Sequence, residues 1–282
     1  MQPGQPSYTA MRAAAHRAAH QVVEQGRVFS DPLALPVLGE TPEVVFGDEL
    51  QSAATRGMRL LIAARSCFAE QSLAAAVGRG ARQYVLLGAG LDTFAHRNPF
   101  AGAGLTVFEV DHPATQGWKR TRLAEAGLTS PPSLTFAPVD FERQTLAEGL
   151  TAAGFDAAQP AFFAWLGVVI YLTREAVLET LRFIAGLPAG SEVVFDYGVP
   201  RSAYPPAQRD YHARRDARMA ALGEPWITRF DPAEIAAELR ALGFDELEDL
   251  GPREIARRYL GVEQPDSPGA HLMRAARRFR RA

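Results

Sequence analysis

Residues 83–93 read Gln-Tyr-Val-Leu-Leu-Gly-Ala-Gly-Leu-Asp-Thr, and this stretch constrains the fold more than any other. A run of β-forming and apolar residues ends in two glycines, Gly88 and Gly90, one residue apart. A parallel strand buried on both faces reads this way where it runs into a tight turn that a ligand can approach. About twenty residues on, the spacing expected of a ribose-binding βαβ unit, a second strand-like run over 105–110 ends in Glu109-Val110-Asp111. A glycine turn after one strand and a carboxylate at the end of the next predict a pocket for a ribose-bearing ligand. Thr93 stands where the third glycine of G-x-G-x-x-G would fall, so the dinucleotide fingerprint is incomplete. That glycine permits close helix–strand packing at a pyrophosphate site, and a ligand without a pyrophosphate needs less.

Strand and helix patterns alternate from this point. Strands are expected at 84–87, 105–110, 134–139, 161–170, 192–197, 245–250 and 271–276. Helices are expected at 114–126, 146–153, 173–186, 231–242 and 252–259. This order predicts a doubly wound α/β sheet with parallel strands and right-handed crossovers. Residues 1–80 read as a helical cap. Ser7 and Thr9 are N-cap candidates, Asp31-Pro32-Leu33-Ala34 reads as a second helix start, and an amphipathic helix runs from Gly57 to Gly78. Residues 200–230, rich in Pro, Arg, Asp and Tyr, break the rhythm and read as an inserted helical lid. One domain of 282 residues is expected.

Charge and cysteine content exclude several functions. The net charge is −2, with no basic excess to attract nucleic acid. Arginine carries almost all the positive charge, and Lys119 is the only lysine. Cys67 is the only cysteine, which rules out an intrachain disulfide and a Cys-based metal site and points to a reducing cytoplasm. The start lacks the charged and apolar segments of a signal peptide. The apolar run 161–172 is shorter than the roughly twenty residues a bilayer span needs. Neither a metal nor a membrane partner is expected.

Four positions carry chemistry, each with a structural alternative. Gly88 and Gly90 either press backbone against a ligand or simply make a βα turn. Glu109 and Asp111 either accept ribose hydroxyls or form a solvated acidic turn. Asp140, followed by Phe141, could accept an exocyclic amino proton while the next N–H serves a ring nitrogen, which selects adenine; alternatively it caps a helix. Arg65 can clamp a carboxylate through two parallel hydrogen bonds, or be one surface arginine among many.

Together these positions resemble the leucine carboxyl methyltransferase superfamily, and most closely its bacterial branch of S-adenosylmethionine-dependent methyltransferases, which includes polyketide O-methyltransferases. The shared motifs are Ser7-x-Thr9-Ala10 with Arg17, Phe29-x-Asp31-Pro32-Leu33-Ala34, Ala64-Arg65, Leu87-Gly88-Ala89-Gly90-Leu91-Asp92-Thr93, Glu109-Val110-Asp111-His112-Pro113 with Lys119, Val139-Asp140-Phe141, and Tyr171-Leu172. The resemblance implies a class I methyltransferase (Rossmann-like) sheet of seven strands with the last antiparallel, and S-adenosyl-L-methionine as cofactor. It implies that Arg65 holds the methionine carboxylate, that Gly88 and Gly90 approach the methionine moiety, that Asp111 binds the ribose, and that Asp140 and the backbone of Phe141 read the adenine. Relatives often carry a glutamate five residues before the strand-four tyrosine, where this chain has Leu166.

Methyl transfer to a small-molecule carboxylate or hydroxyl follows from that resemblance. Phe94, Trp165 and Tyr171 are candidates for an aromatic wall near the sulfonium, with core packing the alternative reading for Trp165. His112, Tyr171 and Tyr197 fall near strand ends and are weak candidates for a base. The acceptor is expected between the N-terminal helices and the 200–230 insertion, whose Tyr204, Tyr211 and Trp226 suit an apolar or aromatic molecule. An inactive cofactor-binding or scaffold protein is the main alternative. An NAD(P)-dependent oxidoreductase is disfavoured by Thr93 and by the lack of a Tyr-x-x-x-Lys. The oligomeric state and the acceptor's identity stay open.

Overall fold

The computed structural model describes residues 8–141 and 143–278. Ser7, the first N-cap candidate, lies outside them. Seven strands form a sheet in the order β3-β2-β1-β4-β5-β7-β6. The chain divides into two compact units, residues 1–71 with 82–155 and residues 72–81 with 156–282.

The first unit begins with helices α1 (Tyr8–Val23), α2 (Ala34–Leu38), α3 (Pro42–Phe46) and most of α4 (Ala53–Gly78). It continues with β1 (Gln83–Leu87), β2 (Thr106–Asp111), α5 (Pro113–Glu125), β3 (Leu134–Pro138) and α6 (Leu146–Ala152). Its three strands are parallel, with Leu87 opposite Val110 and Asp111 opposite Pro138. The alanine-rich face of α1 explains the close helical packing: Ala14, Ala15, Ala18 and Ala19 sit in one apolar cluster with Val37, Phe46, Leu50, Leu91 and Leu123. The N-terminal helices therefore share a core with the residue that follows the glycine turn. Only short 3₁₀ turns, Phe94–His96 and Ala101–Ala103, separate β1 from β2.

The second unit holds β4 (Ala161–Trp165), α7 (Arg174–Gly186), β5 (Glu192–Gly198), α8 (Pro206–Ala221), α9 (Pro232–Leu242), β6 (Glu246–Leu250), α10 (Pro252–Ile255) and β7 (Ala270–Ala276). Strand β5 is parallel to β4 and antiparallel to β7, and β6 is antiparallel to β7. The last strand is thus antiparallel, as expected. Buried Glu192 on β5 pairs with Arg274 of β7 at 2.7 Å and with Arg79 from the end of α4.

Several boundaries differ from the sequence reading. The fourth strand stops at Trp165 rather than running to residue 170. Gly167 adopts φ +73°, its N–H donates to Asp196 Oδ1 at 2.5 Å, and Val169–Tyr171 form a 3₁₀ turn. The apolar residues on either side of Gly167 hid a turn that glycine makes sterically cheap. At the expected helix start Asp31-Pro32-Leu33-Ala34, α2 itself begins at Ala34, after a turn in which Leu33 N–H donates to Asp31 Oδ1 at 3.2 Å and Ala34 N–H to the Asp31 carbonyl at 3.1 Å. Helix α10 gives way to a wider π-type turn over Ala256–Leu260. Helix α4 is the one described helix long and apolar enough to cross a membrane, and 56% of its most apolar window is buried inside the protein.

Candidate active site

The turn after β1 is pinned from both sides. The N–H groups of Gly88 and Ala89 donate to the carbonyl of Val110 at 2.8 and 3.2 Å, tying the turn to β2. Gly88 and Gly90 sit at φ +66° and +48°, in the left-handed region that favours glycine. The Gly90 N–H donates to Asp111 Oδ2 at 2.7 Å, and the His112 N–H donates to Asp111 Oδ1 at 2.7 Å. Burial raises the Asp111 pKa, against the lowering effect of those two N–H groups. Each carboxylate oxygen can accept more than one hydrogen bond, so Asp111 keeps acceptor capacity for hydroxyls. The next strand end lies alongside: the Val139 N–H donates to the Asp111 carbonyl at 2.9 Å.

Asp140 and Phe141 follow directly. Asp140 caps no helix, since the N-cap of α6 is Thr145, which forms a reciprocal capping box with Glu148. Its side chain lies 3.3 Å from Arg143 Nε. Phe141 is 58% exposed, which leaves its ring open to a flat apolar ligand. The backbone thus brings Gly88, Gly90, Asp111, Asp140 and Phe141 to the carboxyl ends of adjacent strands, the usual ligand position in an open α/β sheet. Arg65 lies on α4 in the same unit, half-buried.

Behind this turn lies a charged network that the sequence reading left without a role. Arg17 of α1 donates to the Leu91 carbonyl at 2.6 Å and to Asp92 Oδ2 at 3.1 Å. Its Nε stands 3.4 Å from Asp31. Thr93 is fully buried; its hydroxyl donates to Asp31 Oδ1 at 2.7 Å and accepts from Arg97 Nε at 3.0 Å. Arg97 also grips Glu70 of α4 with both terminal nitrogens. Lys119 Nζ reaches the Asp92 carbonyl at 2.5 Å and Glu109 Oε2 at 2.6 Å. Burial pushes the Asp92 carboxyl up, but Arg17, Arg97 and Lys119 outweigh it and hold it below the usual range. Burial raises Glu109, with Lys119 opposing. Thr93 in place of a third glycine thus serves a hydrogen-bonded core. Ala10 of α1 completes the cover, 3.4 Å from where a Cβ on Gly90 would stand.

The weak base candidates fare unequally. The Nδ1 of His112 accepts from the Ala114 N–H at 3.2 Å as the N-cap of α5, so that lone pair is spent. The Tyr197 hydroxyl, at a residue only 2% exposed, donates to Asp249 Oδ2 at 2.7 Å. Burial, then the Asp249 charge, raises its pKa well above the ordinary tyrosine value, which removes it as a base. Tyr171 follows β4 on its 3₁₀ turn, half-exposed, and its hydroxyl accepts from Trp226 Nε1 at 3.3 Å. Of the expected aromatic wall, Phe94 is 1% exposed against the edge of Tyr84 and Trp165 is 2% exposed in β4, so both are core. Leu166, half-buried, occupies the first position after β4. Among the described residues no group of three or more His, Cys, Asp or Glu could hold a metal ion.

Comparison with known proteins gives consistent results. A family model described as leucine carboxyl methyltransferase matches residues 10–185, more than half of the chain. The chain is 40% identical over 195 residues to YktD of Bacillus subtilis, provisionally named an S-adenosyl-L-methionine-dependent methyltransferase; the match covers 68% of this chain and 63% of that protein. It is 32% identical over 259 residues to a Mycobacterium avium protein with the same provisional name, covering 86% and 80%. Among solved structures, a provisionally assigned methyltransferase from Thermobifida fusca matches with TM-score 0.57 and 18% identity, over 99% of this chain and 97% of that one. A DUF574 family protein from Streptomyces avermitilis matches with TM-score 0.54 and 18% identity, over 93% and 97%.

Proposed function

The chain belongs to the leucine carboxyl methyltransferase family, and from that premise we propose that it transfers a methyl group from S-adenosylmethionine to a carboxylate or hydroxyl oxygen of a small molecule. The observation that carries this reading is the single hydrogen-bonded unit made by the Gly90 N–H and the Asp111 carboxylate, with exposed Phe141 in the turn just past the next strand. A turn without Cβ atoms, a carboxylate with spare lone pairs and an uncovered aromatic ring fit the methionine, ribose and adenine parts of that cofactor.

When bound, S-adenosylmethionine supplies a methyl group already activated by a positively charged sulfur and open to in-line displacement. The chain's own work is therefore to hold and orient. Arg65 would clamp the methionine carboxylate, Gly88 and Gly90 would let it close on the backbone, Asp111 would accept the ribose hydroxyls, and Asp140 with the Phe141 N–H would select adenine. Leu166 cannot accept from the cofactor's amino group as the family's usual glutamate does, so that group is held by other means or less tightly. Positioning of this kind can supply roughly 7–11 kcal/mol of the barrier. A carboxylate acceptor needs no base, whereas a phenol, with a pKa near 10, benefits from one. Tyr171 is the candidate left with an unburied hydroxyl.

Calorimetry with S-adenosylhomocysteine tests the cofactor site. The Asp111→Ala variant is expected to bind about 10- to 100-fold more weakly, the cost of lost hydrogen bonds to a charged acceptor. Unchanged affinity in that variant sinks the assignment. A non-catalytic binding protein, the reading that Leu166 favours, would bind the cofactor yet turn over no member of a panel of small acids and phenols.

A further inference from the structure

The second unit carries a polar cluster that the proposed cofactor site does not use. The Asp249 carboxylate accepts the Tyr197 hydroxyl at 2.7 Å and approaches His271 Nδ1 at 3.0 Å. Tyr197 keeps its proton, held there by burial and by the Asp249 charge. An ionised carboxylate can only accept, so the neutral imidazole of His271 carries its proton on Nδ1. The imidazole stacks on the Tyr197 ring, with centroids 5.0 Å apart and planes at 27°, which fixes its plane. Nε2 then presents a lone pair with no hydrogen-bond partner among the described residues.

Gly251 makes room for this ring, and Gly269 for the neighbouring Pro252. A Cβ on Gly251 would stand 3.2 Å from His271 Cε1 and 3.6 Å from Nε2. The φ of −76° at Gly251 suits any residue, so only space calls for glycine there. A Cβ on Gly269 would meet Pro252 at 2.7 Å. His271 lines a cleft of about 330 Å³ at the carboxyl end of β5. Its walls are Val199, Pro200, Pro232 and Pro268, and Asp231 and Asp266 add negative charge. Asp231 Oδ1 accepts from the Ala233 N–H at 2.9 Å and Asp266 Oδ1 from the Ser267 N–H at 3.1 Å. The volume lies at the small end of ligand sites and suits a one-ring molecule.

We propose that this cleft is a binding site for a neutral, hydroxyl-bearing small molecule, whose O–H donates to His271 Nε2 while its apolar body lies against Val199 and the prolines. The two carboxylates repel an anion, so the site prefers an alcohol or phenol to a carboxylate of equal size. All of its residues belong to the second unit and none is among the proposed cofactor contacts, so it stands or falls separately from the methyltransferase reading.

The test is a titration of the cofactor-free, full-length chain with cyclohexanol, phenol and benzoate, followed by the imidazole ¹⁵N resonances. The Nε2 signal of His271, identified by its loss in His271→Phe, is expected to shift saturably with both alcohols. Benzoate is expected to bind at least about tenfold more weakly than phenol, and His271→Phe to weaken phenol binding by about tenfold. Gly251→Ala keeps the backbone conformation, crowds the ring and is expected to weaken phenol binding comparably, with its thermal midpoint checked alongside. Equal affinity for benzoate, no saturable shift with either alcohol, or phenol binding unchanged in both variants overturns the proposal.

Discussion

His16 and Arg17 are adjacent on α1 and both buried, but among different neighbours. Arg17 meets Asp92, Asp31 and the Leu91 carbonyl. His16 packs on Phe46, and burial followed by the charges of Arg12, Arg59 and Arg65 lowers its pKa to about 3. The consequence for stability has a definite sign. Below pH 6.5 the unfolded chain takes up a proton at His16 while the folded chain does not, so stability falls as pH drops from 6.5 towards 3, by up to about 1.4 kcal/mol per pH unit. His16→Phe is expected to flatten that part of the profile between pH 7 and 5, read from thermal midpoints. Leu166 offers a second test at this scale. Leu166→Glu restores the acceptor common among relatives, and S-adenosylhomocysteine is expected to bind about tenfold tighter by calorimetry if its amino group then gains a charge-assisted bond.

Helix α1, the glycine turn and α5 are joined by buried charges, and this is where sequence reading was least complete. The glycines, Asp111 and Asp140 were legible because each departs from what its local pattern would otherwise place there: left-handed turns, and carboxylates at strand ends. Arg17, Asp31, Thr93 and Lys119 were visible only as motif residues, and Arg97 not at all. Their partners are distant in the chain, and nothing local distinguishes a buried arginine from a solvated one. The end of β4 was misread because Gly167 interrupts an apolar run that periodicity alone continues. The network has a measurable logic. Lys119→Met leaves the fully buried Glu109 carboxylate unpaired and is expected to cost about 3–5 kcal/mol in urea unfolding. Adding Glu109→Leu is expected to recover most of that loss, because the uncompensated charge disappears with its partner.

At the scale of the whole molecule, the sheet order and the antiparallel last strand follow the expectation drawn from strand–helix alternation and family resemblance. The 200–230 insertion also forms a helix, but none of the residues of α8 is buried. It is held at its edges instead. Arg229 pairs with Asp216 at 2.6 Å, Arg215 lies 4.9 Å over Trp226, and Ile227 donates to the Ile170 carbonyl at 2.7 Å. An element that buries so little contributes little to stability, which leaves it free to move over a ligand. Deleting 203–226 is expected to abolish turnover while leaving S-adenosylhomocysteine affinity within about twofold, a difference well below one hydrogen bond. Loss of cofactor binding with an intact fold would count against the lid. The network behind the glycine turn has one more consequence, for chemical labelling. The chain has a single ε-amine, and it is 1% exposed and engaged with Glu109 and Asp92. Lysine-directed acylation can therefore reach Lys119 only when the floor of the site opens. Its rate, separable by mass from reaction at the amino terminus, reads the opening of that one region without any engineered probe, and a bound cofactor should slow it.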